Sequence, residues 1–126
     1  MFEGNVLVPM LPASDIDRAK SFYADKLGMK PIAERDGDLR YEAGGGWFIV
    51  YPSGSAGTNQ ATAATWEIED IDAAVTEMKS RGVEFQDFEI EGMEMENSIL
   101  TSPTGARAAW FFDSERNILG LMQQPV

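Results

Sequence analysis

The sequence predicts an α+β fold built from two tandem copies of one βαβββ unit. Three observations carry this. Ser14-Asp15-Ile16-Asp17-Arg18-Ala19 returns 55 residues later as Glu69-Asp70-Ile71-Asp72-Ala73-Ala74, with Asp, Ile, Asp and Ala in register. An internal period is read first because it decides the architecture. Each copy opens a helical pattern that runs into a glycine, Leu27-Gly28 and Arg81-Gly82. Around each helix lie apolar stretches of strand length, separated by strong turn signals.

The elements follow in order. Asn5 to Leu11 is apolar and β-branched and reads as a first strand, with Pro9 marking an edge or irregular position. Ser14 is the expected N-cap, with Asp15 and Asp17 favourable in the first turn. Ile16, Ala19, Phe22, Tyr23 and Leu27 fall on one helical face, and Gly28 ends that helix. Pro31 to Arg35 is a short strand. Asp36-Gly37 is a hairpin signal, Leu39 to Ala43 returns, Gly44-Gly45-Gly46 turns again, and Trp47 to Tyr51 is the fourth strand. A small, polar stretch, Pro52 to Ala61, has linker composition. The pattern then restarts: strand Thr62 to Ile68, helix Asp70 to Arg81, extended Val83 to Ile90, a poorly patterned strand within Met93 to Thr101, then Ala106 to Phe112 and Asn117 to Gln123. The expected division of this single domain is module one at 1–52, a linker at 53–61 and module two at 62–126.

Composition excludes several functions. The chain has 126 residues, a length that suits one compact domain. Its net charge of -11 opposes binding to nucleic acid, whose phosphates require Lys and Arg, and to anionic membranes. No cysteine is present, which removes disulfides and thiol chemistry. No histidine is present either, so imidazole cannot ligate a metal, and serine or threonine has no partner for triad catalysis. The start Met1-Phe2-Glu3-Gly4 lacks the basic and apolar regions of a signal peptide, so a cytoplasmic protein is expected. Asp36-Gly37-Asp38 lacks the rest of a calcium loop, and the Gly44–Gly46 run precedes no helix, so neither is a ligand motif. The run Glu84, Asp87, Glu89, Glu91, Glu94, Glu96 contains no base; it reads as a solvated edge or as an attractor for cationic ligands.

Three segments together resemble the vicinal oxygen chelate superfamily, which groups glyoxalase I, bleomycin-resistance proteins and extradiol dioxygenases. They are Ser14 to Tyr23 with Leu27-Gly28, Trp66 to Ala74 with Arg81-Gly82-Val83, and Phe111-Phe112-Asp113-Ser114-Glu115-Arg116-Asn117-Ile118-Leu119. The last is a worn form of the family's aspartate–turn–Gly-Asn segment, with Arg116 in place of Gly. The resemblance covers nearly the whole chain. It implies an open half-barrel of strands with a cavity on its concave face and helices outside. It also implies homodimers, some formed by exchange of modules across the linker. Enzymes of the family hold a divalent metal through His, Gln or Glu from the first and fourth strands of each module. The corresponding positions here are Val8, Ile49 (or its neighbours Phe48 and Val50), Ala63 and Gly120, none of which offers a donor. No cofactor is therefore expected. An all-carboxylate magnesium or calcium site would require acids clustered in the cavity.

Alternation along the strands places residues two apart on one face. Counted from the empty ligand positions, the expected ligand-binding residues are Val8 and Met10; Trp47, Ile49 and Tyr51; Thr65 and Glu67; Trp110 and Phe112; and Gly120. Such an apolar, aromatic wall with few polar groups suits a small molecule, and its rings suit a planar one. The expected function is metal-free binding of an apolar or aromatic ligand, with sequestration as a resistance mechanism. The alternative is a metal-independent lyase or isomerase with Glu67 moving the proton, assisted by Tyr41 or Arg40 on a neighbouring strand.

Overall fold

Each repeat aspartate caps a helix in the computed structural model, which describes residues 1–125. Asp15 sits in extended backbone, and its carboxylate accepts the Arg18 N–H at 3.0 Å at the start of α1 (Ile16–Leu27). Asp70 does the same for Ala73 at 3.1 Å at the start of α2 (Ile71–Ser80). The carboxylate satisfies an N–H that the helix leaves free and opposes the positive end of its dipole. Ser14 is therefore not the cap: its hydroxyl donates to Glu115 at 3.3 Å instead. α1 ends where Gly28 takes the left-handed conformation, φ 68°, which costs least without a Cβ. α2 closes at Arg81, followed by Gly82.

The first sheet contains β1 (Met10–Ala13), β2 (Ala33–Arg35), β3 (Asp38–Ala43) and β4 (Gly46–Pro52), in the order β1-β4-β3-β2. β1 runs parallel to β4, and the other neighbours are antiparallel. Asp36 and Gly37 both have positive φ, as the hairpin signal requires. The first strand begins five residues later than its apolar run. Pro9 contributes only its carbonyl, which accepts from Ile49 N, and Val6 and Leu7 upstream are exposed because β4 offers them no partner.

The second sheet contains β5 (Thr62–Glu67), β6 (Glu94–Glu96), β7 (Ile99–Thr101), β8 (Arg107–Phe112) and β9 (Ile118–Gln123). Its order is β5-β9-β8-β7-β6, again with a parallel pair, β5 with β9, at the edge. Here the expected βαβββ unit gains a strand. The poorly patterned segment folds as a β6–β7 hairpin through Asn97 and Ser98, both with positive φ. Of the extended stretch Val83 to Ile90, only Glu84 to Gln86 bonds to β8. Glu94 and Glu96 occupy the outermost strand, where charge discourages pairing with another chain.

The described residues thus form two sheets of mixed strands with two helices, and no closed barrel. Each helix packs on one face of its own sheet, and the two helix-covered faces share one core. Aromatic rings cross the junction in sequence. Tyr41 stacks on Phe48 at 5.0 Å, Phe48 meets Trp66 edge-on at 5.9 Å, and Trp66 stacks on Phe111 at 6.2 Å. Each such pair adds roughly 0.5–1.5 kcal/mol beyond the area it buries.

A buried polar knot reinforces that junction. The turn after β8 presents Asp113, Glu115 and Asn117, all nearly inaccessible. Asp113 accepts hydrogen bonds from the Tyr23 hydroxyl at 2.8 Å, from the Asn117 amide, and from the N–H groups of Glu115 and Asn117. Glu115 receives Arg18 through Nε at 2.8 Å and Nη2 at 2.9 Å, and the Asp15 N–H at 2.9 Å. Asn117 also donates to the Pro12 carbonyl on β1. The C-terminal turn is thereby tied to the first strand and first helix of the other module.

Burial alone would raise the Glu115 pKa, but hydrogen bonds from Arg18, Ser114 and Asp15 outweigh it and bring it down to about 2. Burial wins at Asp113, whose pKa is raised. A depressed carboxylate stabilises the fold above its unfolded pKa, and that contribution is lost as pH falls through the folded value. We therefore expect Glu115→Gln to cost about 2–4 kcal/mol at pH 7. The variant's denaturant midpoint should also depend less on pH between 4.5 and about 2 than that of the unaltered protein. Equal midpoints at pH 7 would show that the knot is not stabilising.

Candidate functional site

A groove of about 390 Å³ lies where the β1 side of the first sheet meets β5 of the second. Three of the sequence-predicted residues line it together: Trp47, Thr65 and Glu67. Its other walls are Leu7, Pro9 and Leu11 toward the N-terminus, Ala43, Gly44, Gly46 and Phe48 around the β3–β4 turn, and Ala64 and Trp66 on β5. Sequence reasoning missed those positions. The signal available was the glycine run beside a tryptophan, since residues without side chains leave space at the indole. Gly44 and Gly45 also both require positive φ.

The remaining predicted residues, Val8 excepted, lie on the two sheet faces turned away from the helices. On the first sheet, Met10 is paired with Ile49, and Trp47 and Tyr51 alternate with the buried Phe48 and Val50. On the second, Trp110 and Thr65 both pair with Gly120, and Phe112 pairs with Ile118. Phe111 points the other way and is fully buried, so Trp110 and Phe112 share the open face. Val8 precedes β1 and is half-buried, outside any strand. These seven residues do not line the groove that holds Trp47, Thr65 and Glu67.

Arginines cover two of the open-face rings. Arg40 lies 5.4 Å from the Trp47 ring centre, and Arg116 lies 3.8 Å from that of Phe112 while bonding Glu84 at 3.1 Å. Such cation–π contacts add about 0.5–1 kcal/mol at exposed sites. The Arg40 Nε is buried and has no partner among the described residues. Tyr41 departs from its expected place beside Glu67. It faces the core, stacked on Phe48, because β3 alternates and Leu39 and Tyr41 share the helix side. Burial pushes its hydroxyl up to about 12, and that hydroxyl has no hydrogen-bond partner among the described residues. Tyr41 therefore cannot relay a proton to an exposed Glu67.

The family's metal does not fit the residues present. The four implied positions are occupied by Val8, Ile49, Ala63 and Gly120, and none has a side-chain oxygen or nitrogen. Gly120 is also sterically closed: a Cβ there would lie 2.7 Å from Thr65 Oγ1. Among the described residues no three His, Cys, Asp or Glu side chains cluster in metal-binding geometry. No catalytic step is derived through a metal.

Two αβ modules of matching topology, each with its parallel strand pair at the sheet edge, define a duplicated-module protein of the glyoxalase type. The family model for the Glyoxalase/Bleomycin resistance protein/Dioxygenase superfamily matches residues 6–118, and the chain belongs to that superfamily. Among solved structures it is similar to the fosfomycin resistance protein FosX from Listeria monocytogenes. That match has a TM-score of 0.73 and 14% identity, over 98% of this chain and 95% of that one. Lactoylglutathione lyase from Agrobacterium tumefaciens matches with a TM-score of 0.68 and 15% identity, over 95% and 93% of the two chains. A glyoxalase/bleomycin resistance protein from Catenulispora acidiphila matches with a TM-score of 0.67 and 20% identity, over 95% and 98%. These likenesses show the fold alone. No curated protein matches the chain. Among the described residues no helix is long and apolar enough to cross a membrane.

The contact between Thr65 and Gly120 is testable. Gly120→Ala should lower stability by about 1–3 kcal/mol, because the new methyl meets a β-branched neighbour with few rotamers. Adding Thr65→Ala should recover most of that loss in thermal or urea unfolding. An equal loss in the double variant would mean that the strain arises elsewhere.

Proposed function

We propose that this chain binds an apolar or aromatic small molecule without a metal, at the groove beside Trp47, and acts in resistance by sequestering it. The observation that carries this reading is the chemistry at the four family metal positions, where hydrocarbon or nothing stands in place of donors. Trp47 provides a flat apolar surface, and the glycines beside it leave its approach open. Thr65 and Glu67 add the few polar groups that orient a ligand in such a site. The remaining open-face residues, Val8, Met10, Ile49, Tyr51, Trp110, Phe112 and Gly120, extend the same surface on either sheet.

A homodimer fits this reading. Leu7 is 88% exposed and Met10 49% exposed, both beside the groove or on the open face, and a second copy would cover them. Segment 53–61 is the hinge across which modules 1–52 and 62–126 would exchange. The proposed setting is the cytoplasm.

A second reading, a metal-independent lyase or isomerase, rests on Glu67 lying in the groove with Trp47. With Tyr41 buried in the core, Glu67 would work without that partner.

A screen of planar aromatic ligands by tryptophan fluorescence tests the first reading. Trp47→Ala should weaken a hit by about tenfold or more, the usual effect of losing an aromatic anchor. Metal-depleted protein should bind equally well. Affinity that needs added Mn(II) or Zn(II), or that is indifferent to Trp47→Ala, would overturn it. Turnover of a ligand that disappears in Glu67→Gln would instead establish the second reading.

A further inference from the structure

A second hollow, of about 330 Å³, opens between the ends of the two helices. This volume falls in the range of small-molecule pockets, roughly 300–1,000 Å³. Its apolar walls come from both modules: Leu27 and Met29 at the end of α1, Met78 on α2, and Trp66, Phe111 and Leu121 from the second sheet. Trp66 stacks on the fully buried Phe111, with 18° between their planes, and presents its half-buried indole to the hollow. Leu27, Met29, Trp66 and Met78 stay only half-buried although they pack against the core. They border space that no side chain among the described residues fills. Two methionines suit such a wall, because an unbranched thioether adapts to whatever occupies the hollow.

The charged residues at this hollow are Lys26, Arg81 and Glu77. The two cations cross between the modules. Arg81 Nη1 reaches the glycine that ends α1, 3.7 Å from where a Gly28 Cβ would lie. Lys26 Nζ reaches the glycine after α2, 3.3 Å from where a Gly82 Cβ would lie. Arg81 is paired with Glu77 at 2.9 Å, at a largely exposed position. Lys26 has no carboxylate partner among the described residues. In a chain of net charge -11, this is a locally cationic mouth above an apolar floor.

We infer that this hollow is a second ligand site, for a small amphipathic anion: one carboxylate between Lys26 and Arg81, and an apolar tail against Trp66, Met29 and Met78. Such an anion would pair with Lys26 and fill the space left between the modules. Trp66 borders both this hollow and the groove at Trp47, but neither reading depends on the other.

Decanoate is the probe, with decanol as its uncharged counterpart. The protein has seven methionines, two of them in this hollow, so methyl-labelled methionine NMR locates binding. Decanoate should shift the Met29 and Met78 signals, assigned by Met→Leu substitution, and leave Met10 and Met122 in place. Lys26→Ala with Arg81→Ala should weaken decanoate by about tenfold, the effect of losing a charge-assisted contact, while decanol affinity stays within a factor of two. Both cations are on the surface, so the variant should fold, and circular dichroism checks this. Trp47→Ala should leave decanoate affinity unchanged. Shifts confined to Met10 and Met122, no saturable shift, or equal decanoate affinity in the double variant would each overturn the inference.

Discussion

The arrangement of the two modules depends on one short turn. Asp113, Glu115 and Asn117 follow β8, and their side chains reach into the other module as well as bonding one another within the turn. Tyr23 and Arg18 of α1 and the Pro12 carbonyl of β1 end on these three residues. Buried carboxylates are costly unless every oxygen is satisfied. Here the oxygens of both carboxylates accept at least two hydrogen bonds each, with backbone N–H groups among the donors. The turn pays for this geometry with Arg116 at φ 66°, a conformation unfavourable for any residue with a Cβ. Its guanidinium regains contact with Phe112 and Glu84.

That clamp holds the helix-covered faces of both sheets against a single core. It leaves the other faces, with Trp47, Tyr51, Trp110 and Phe112, turned outward. The same packing creates both hollows. One lies at the sheet edges, where β1 and β5 lack further strands. The other lies at the helix ends, where the modules meet without filling the space between them. A duplicated fold joined by a single polar knot and a line of aromatic rings leaves such gaps, because neither module is shaped to the other along its whole face.

Much of this was legible in the chain. The paired Asp-Ile-Asp motifs located both helices within a residue, because an N-cap carboxylate and a terminal glycine are local requirements. Asp36-Gly37 and Gly44-Gly45 fixed two hairpins for the same reason. Alternation placed Trp110 and Phe112 on one face and Phe111 on the other. The misses have long-range causes. Asn5 to Val8 had a strand's composition but no neighbouring strand to pair with. Ser14 had a cap's chemistry, but Glu115, a hundred residues away, claimed its hydroxyl. The β6–β7 hairpin was obscured because alternating Glu and Met at a solvated edge leaves a weak pattern. Tyr41 was expected on a strand beside Glu67, whereas the two lie in different sheets and the pleat turns Tyr41 inward.

The repeat by itself determined the class of fold and the positions of the helices, which follow from spacing and residue type alone. The family resemblance, not the spacing, implied the metal positions at which this chain carries no donor side chain. Only the tertiary structure decided which predicted residues share a groove and that Thr65 closes over Gly120. It alone brought Lys26 and Arg81 across the junction to face each other's helix. Those facts depend on how two similar modules pack, and packing is set by contacts between residues far apart in the chain, which no local pattern encodes.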